Sequence, residues 1–143
     1  MNTALLGLDF GEKKIGVAVT DEAGMMAMPL TTLSFESRKQ LLADLTRLAD
    51  QHRVSKIVVG LPLTLKGELG PSAQKVMAHV EWFKTHLEKT WVFWDERLTT
   101  QEIENFLISA DVSRKRRKEV RDRLAAQRIL QSYLDAQRVE GNS

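Results

Sequence analysis

The sequence predicts an α/β domain built on a mixed five-stranded sheet, an antiparallel meander of three strands followed by parallel strands, with helices flanking it. Three observations lead there. The first apolar runs are short, alternate branched with small residues, and are separated by glycine-bearing turns. From residue 37 onward, helical periodicity alternates with short apolar runs, the rhythm of parallel strands joined by crossover helices. A chain of 143 residues supports one sizeable core and not two, so residues 1–143 read as a single domain with a short tail over about 138–143.

Residues 3–10, Thr-Ala-Leu-Leu-Gly-Leu-Asp-Phe, form the first expected strand and end at Gly11. After the turn Gly11-Glu12-Lys13-Lys14, the run Ile15-Gly16-Val17-Ala18-Val19-Thr20 pairs back against it. Asp21 to Gly24 is a turn, and Met25 to Leu33 the third strand. Ser37 with Gln40 makes a capping box for a helix to about His52, its inner face marked by Leu41, Leu42, Leu45, Leu48 and Ala49. Residues 56–61 are a buried strand closed by Pro62. The loop that follows, to Gly70, reads either as a cover over a substrate or as a surface turn.

Pro71 opens a second helix, with Ala73, Val76, Met77, Val80, Phe83 and Leu87 inward. Residues 91–94 form the fifth strand and run directly into Asp95-Glu96-Arg97. Thr99 with Glu102 caps a third helix through Ile103, Phe106 and Leu107. Ser109 to Arg117 reads as a linker, and a last helix spans about Lys118 to Gln137 with Ala126, Ile129, Leu130, Tyr133 and Leu134 on one face.

Composition narrows the chemistry. The absence of cysteine excludes disulfides, thiolate metal sites and cysteine nucleophiles, and suits a reducing cytoplasm. No apolar stretch approaches the roughly 20 residues needed to cross a bilayer, and the first residues lack the basic region of a signal peptide, so no membrane association is expected. His52, His79 and His86 show no metal-ligand spacing. Trp82, Trp91 and Trp94 suit core or dimer packing better than base stacking, because Trp91 and Phe93 alternate with Val92 and Trp94 along a strand.

Charge is unevenly spread. Residues 1–112 carry a net −3 and residues 113–143 a net +5. Arg114, Lys115, Arg116, Arg117, Lys118 and Arg121 form the densest run, the electrostatic footprint of a nucleic-acid contact or of a solvated helix face.

Three carboxylates stand out. Asp9 lies at the carboxyl end of the first strand, where sites form in sheets of this kind. Asp95 and Glu96 lie at the corresponding end of the fifth strand and point to opposite faces, so only one can join Asp9. Asp122 shares a helical stripe with residues 126, 129 and 133, which turns it toward the sheet. Converging carboxylates about 4 Å apart repel by roughly 4 kcal/mol per pair at an effective dielectric near 20, a penalty that Mg²⁺ or Mn²⁺ removes. Two such ions, bridged by an aspartate, would serve phosphodiester hydrolysis. The alternative places Asp9 in a turn, Glu96 in a pair with Arg97, and Asp122 beside Arg121 or a neighbouring base.

Four blocks then resemble one family. They are Leu8-Asp9-Phe10-Gly11-Glu12-Lys13-Lys14-Ile15-Gly16-Val17-Ala18-Val19-Thr20-Asp21; Val58-Val59-Gly60-Leu61-Pro62-Leu63 with Gly67; Asp95-Glu96-Arg97-Leu98-Thr99-Thr100; and Asp122 through Ala125-Ala126 to Ile129-Leu130-Gln131-Ser132-Tyr133-Leu134. They are similar, in order and over nearly the whole chain, to the YqgF-type family of RNase H-like bacterial proteins, described as pre-16S rRNA nucleases and as Holliday junction resolvases. The resemblance implies an RNase H-like fold and metal-dependent nuclease activity, with Asp9, Glu96 and Asp122 as catalytic and metal-binding acids. Lys13, Lys14, Arg97 and the run from Arg114 to Arg121 are the expected nucleic-acid contacts.

Two positions depart from the pattern. Glu12-Lys13-Lys14 replaces the usual Thr-Lys-Arg, so Lys14 keeps a charge without the bidentate fork of arginine. Gly60-Leu61-Pro62 stands where the resolvases compared with this family carry an acid. The expected substrate is precursor 16S rRNA, with branched DNA as the second choice; junction cleavage would require a homodimer with two sites. A binding module without catalysis would need the basic run but not the acids.

Overall fold

The computed structural model describes residues 3–96 and 114–141, with side chains described over 3–96 and 123–137. The helix expected from Thr99 and most of the linker before Arg114 lie outside the described residues.

Five strands form one sheet: β1 (Ala4–Phe10), β2 (Lys14–Thr20), β3 (Ala27–Ser34), β4 (Val54–Leu61) and β5 (Thr90–Asp95), in the order β3-β2-β1-β4-β5. β1, β2 and β3 pair antiparallel as a meander, while β4 and β5 run parallel to β1. The crossovers are α1 (Arg38–His52) and α2 (Pro71–Lys84), and α3 (Arg114–Gly141) closes the chain. This is the mixed sheet the sequence predicts. Among the described residues no helix is long and apolar enough to cross a membrane.

Strand alternation divides the core in two. Leu6 and Leu8 of β1, Val17 and Val19 of β2, and Ile57 and Val59 of β4 point to one face and pack with Leu41 and Leu45 of α1 and Val80 and Phe83 of α2. Ala18, Val58, Val92 and Trp94 point to the other face and meet Ala126, Ile129, Leu130, Tyr133 and Leu134 of α3. The aromatic strand β5 serves both layers. Trp91 stacks on Phe83 with ring centroids 6.2 Å apart, and the Trp94 indole N–H donates to Ser132 Oγ at 3.0 Å.

Local chemistry sets the boundaries. Ser37 Oγ accepts from the Gln40 N–H at 3.1 Å, while the Gln40 side chain accepts from Glu36 N–H at 3.0 Å, one residue earlier than a simple capping box. β3 starts at Ala27 rather than Met25 because the Asp21 carboxylate takes the Met25 and Met26 N–H groups, at 2.9 and 3.3 Å. Those hydrogen bonds also hold the Asp21 carboxyl below the usual carboxylate range. Pro29 fits because β3 is an edge strand. The loop after β4 is a self-bonded surface turn: Gly67 N–H donates to Thr64 O at 2.8 Å and Glu68 N–H to Thr64 Oγ1 at 3.0 Å.

One boundary corrects the sequence reading. Residues 114–117, expected in a linker, are helical, and α3 continues past Gln137 to Gly141. Arg and Lys are good helix formers, but a run of them has no apolar period to reveal the helix.

α3 lies close on the sheet because β1 carries glycine beneath it. A Cβ at Gly7 would stand 2.8 Å from Leu130 Cβ and 3.0 Å from the Ala126 carbonyl oxygen, and the second neighbour is backbone that cannot rotate away. Gly7→Ala is therefore expected to lift α3 and destabilise the fold by about 1–3 kcal/mol. Urea denaturation checks this; a change under about 0.5 kcal/mol would show that the helix is not seated there.

Candidate active site

Asp9 stands two residues beyond Gly7 on the same face of β1 and is half-buried. Glu96 follows the end of β5 and extends that strand's pairing by one step, its N–H donating to Leu61 O at 3.4 Å. Val92 and Trp94 pack under α3, so alternation carries Glu96 to the α3 face and leaves Asp95 exposed on the other. Of the two adjacent acids, Glu96 is the one that meets Asp9.

The Glu96 carboxyl lies over Gly60. A Cβ there would come 2.6 Å from Glu96 Oε2 and would also collide with Ile129 Cδ1. Glu96 Oε2 is buried and has no hydrogen-bond partner among the described residues. Burial is the main cause that pushes the Glu96 carboxyl up to about 9; the charge of Asp9, a hydrogen-bonding contact with it, and the charge of Asp95 add to the shift. A carboxyl raised that far favours its protonated form at neutral pH in the metal-free protein.

Gly60 was legible in the sequence only as a departure from a family pattern. Its role as the bed on which Glu96 rests comes from the structure. A glycine inside an apolar strand is the signal that points to such a close approach.

The remaining expected site residues divide by position. Lys13 and Lys14 are exposed beside the turn after β1, at the same end of the sheet as Asp9. Arg97 lies outside the described residues. Arg114, Lys115, Arg116, Arg117, Lys118, Arg121 and Asp122 belong to α3, but their side chains lie outside the described residues. Among the described residues no group of three His, Cys, Asp or Glu gathers to hold a metal ion; Asp9 and Glu96 are a pair.

A raised carboxyl pKa has a defined consequence for stability. The native protein retains a proton that the unfolded chain releases above about pH 4.5, so this group makes the metal-free protein less stable as pH rises from about 4.5 to 9. The slope is at most about 1.4 kcal/mol per pH unit. Urea melts in EDTA at several pH values should show that decline for the wild type and a flatter one for Glu96→Gln; parallel profiles would contradict it.

Comparison with known proteins agrees with this architecture. Residues 3–136 match the family described as RuvX, Holliday junction resolvase. A relative from Desulforudis audaxviator named "Putative pre-16S rRNA nuclease" is 44% identical over 139 residues, 97% of this chain and 99% of its own. One from Thermoanaerobacter pseudethanolicus with the same name is 47% identical over 135 residues, 94% and 97% of the two chains. Among solved structures, Thermus thermophilus RuvC in complex with a Holliday junction substrate aligns with a TM-score of 0.55 at 12% identity, covering 94% of this chain and 95% of that one. The fowlpox virus resolvase with junction DNA aligns at 0.56 and 11% identity, covering 94% and 98%. These two similarities establish the RNase H-like fold. By its match over residues 3–136, its relatives and its fold, the chain belongs to the RuvX family of RNase H-like nucleases.

Proposed function

We propose that this nuclease is divalent-metal dependent and processes the 5′ end of precursor 16S rRNA, cutting at the Asp9–Glu96 pair with Asp122 as the third acid. The observation that carries the reading is the buried Glu96 carboxyl beside Asp9, held neutral and with one oxygen lacking a hydrogen-bond partner among the described residues. A burial cost of that kind is a stability loss that a hard cation would offset. The donor set, carboxylate oxygens alone, fits Mg²⁺ or Mn²⁺. When bound, such an ion supplies charge neutralisation at the phosphate under attack and acidifies water.

The course of the α3 backbone supports Asp122 as the third acid. It precedes Ala126 by one turn, about 6 Å along α3. Gly7, beneath Ala126, precedes Asp9 by about 6.6 Å along β1. Tyr133 bonds Lys56 at the start of β4 and Ile129 lies near Gly60 at its end, so α3 runs antiparallel to the parallel strands and position 122 lies toward their carboxyl ends. In this reading Glu96 gives up its proton, the acids become fully charged, and they hold the scissile phosphate's counterions.

The cations of α3 support a polyanionic substrate. Arg114, Lys115, Arg116 and Arg117 occupy the first turn, which holds no acid and where the helix dipole is already positive. Repulsion there costs stability that backbone phosphates relieve. A chain of precursor rRNA is favoured over a branched DNA junction by Gly60. The resolvases compared with this family carry an acid at that strand end, and here a side chain has no room beside Ile129 and Glu96. The curated relatives carry the rRNA name.

The test is parallel cleavage of a precursor rRNA 5′ segment and a four-way DNA junction with Mg²⁺, Mn²⁺ or EDTA. Metal-dependent cutting of the RNA, reduced about 10²-fold or more by Asp9→Asn with binding retained, is expected. Cutting of the junction alone would assign the enzyme to branched DNA, and binding without cutting would leave a non-catalytic module. Replacing Lys115, Arg116 and Lys118 by Gln should lower the salt dependence of RNA affinity by about 0.7 in log–log slope per lost phosphate contact. An unchanged slope would remove this segment from the interface.

A further inference from the structure

A concavity opens at the same sheet end as the acids but on the opposite face. It is a cleft of about 590 Å³ whose lining includes Phe10, Glu12, Lys13, Phe35 and, from α2, Ser72, Lys75 and His79. Phe10 is the residue after Asp9, so the cleft begins about 3.8 Å along the backbone from the proposed cutting site. β1 and β4 both end at its rim, where sheets of this kind receive ligands.

The lining combines two chemistries. One wall is aromatic: His79 lies parallel to Phe10 with centroids 6.1 Å apart and edge-on to Phe35 at 4.8 Å. Arg38 Nε donates to His79 Nδ1 at 3.1 Å, which leaves Nε2 as the donor of a neutral imidazole. The other component is cationic, Lys13 and Lys75, opposed by the single acid Glu12. Half-buried rings beside lysines suit a base and its phosphate, and a base can reach such a wall only when it is unpaired.

We propose that this cleft binds an unpaired nucleotide of the RNA strand next to the cleaved phosphate, the base against Phe10, Phe35 and His79 and the phosphate near Lys13 and Lys75. This rests on the nuclease reading and adds a preference for single-stranded RNA flanking the cut. The strand crosses the carboxyl edge of the sheet, from the Asp9 face to the α2 face.

The experiment measures fluorescence anisotropy of a labelled 12-nucleotide single-stranded RNA and a blunt RNA duplex in EDTA, followed by cleavage kinetics with Mg²⁺. Lys75→Glu and Ser72→Glu put negative charge in the cleft, and the second sits in the first turn of α2, where an acid favours the helix and guards against misfolding. Lys84→Glu, at the far end of α2, matches the charge change of Lys75→Glu. Expected are an affinity loss of about tenfold for single-stranded RNA in both cleft variants, under about twofold for Lys84→Glu, and a raised KM with kcat nearly unchanged. Unchanged affinity in the cleft variants, or equal loss in all three, overturns the proposal while wild-type cleavage keeps the nuclease reading. Duplex bound as tightly as the single strand, with the same losses, also overturns it. Absent wild-type cleavage removes the nuclease reading on its own terms, and the cleft is then judged by the binding data.

Discussion

The seating of α3 on the sheet is the constraint from which the rest of the site follows. Gly7 in the middle of β1 and Gly60 near the end of β4 leave those positions without side chains on one face, and Ala126 and Ile129 occupy that space. With α3 so close, the layer between helix and sheet is a buried apolar cluster. A carboxyl placed at its edge is desolvated, as Glu96 is. Packing and chemistry are thus one feature: the contact that completes the second core also raises the proton affinity of an acid at the strand ends.

That arrangement accounts for the division of labour between the two faces. The face under α1 and α2 carries the larger apolar cluster, with Leu6, Leu8, Ile57 and Phe83 fully buried, and supplies the bulk of the stability. The α3 face has smaller residues, Gly7, Ala18, Ala27 and Ala126, and carries the acids along its rim. At the carboxyl edge the two meet, Asp9 on one side and Phe10 on the other, the edge that the proposed RNA path crosses.

Much of this was legible in the sequence. Period-two alternation alone places Asp9 with Gly7 and separates Glu96 from Asp95, because a strand fixes the facing of its side chains. The Ser37–Gln40 cap was equally local, though Glu36 rather than Ser37 donates to the Gln40 side chain. The start of α3 was not legible: the cations from Arg114 onward lack apolar periodicity, so helix and linker look alike. Nor was the cleft, whose walls come from Phe10, Phe35 and His79, far apart in the chain and joined only by the crossover geometry. Gly60 shows the same limit. A glycine announces close approach without naming what approaches, and here it is the Glu96 carboxyl.

The central claim of the proposed function is that the Asp9–Glu96 pair holds a proton that a divalent cation would displace. Titration calorimetry of Mn²⁺ into the protein near pH 7.5, in buffers of different ionisation enthalpy, counts protons released on binding. The account predicts release of about one proton per bound ion, absent in Glu96→Gln. Binding without proton release, or identical release by the variant, would contradict it.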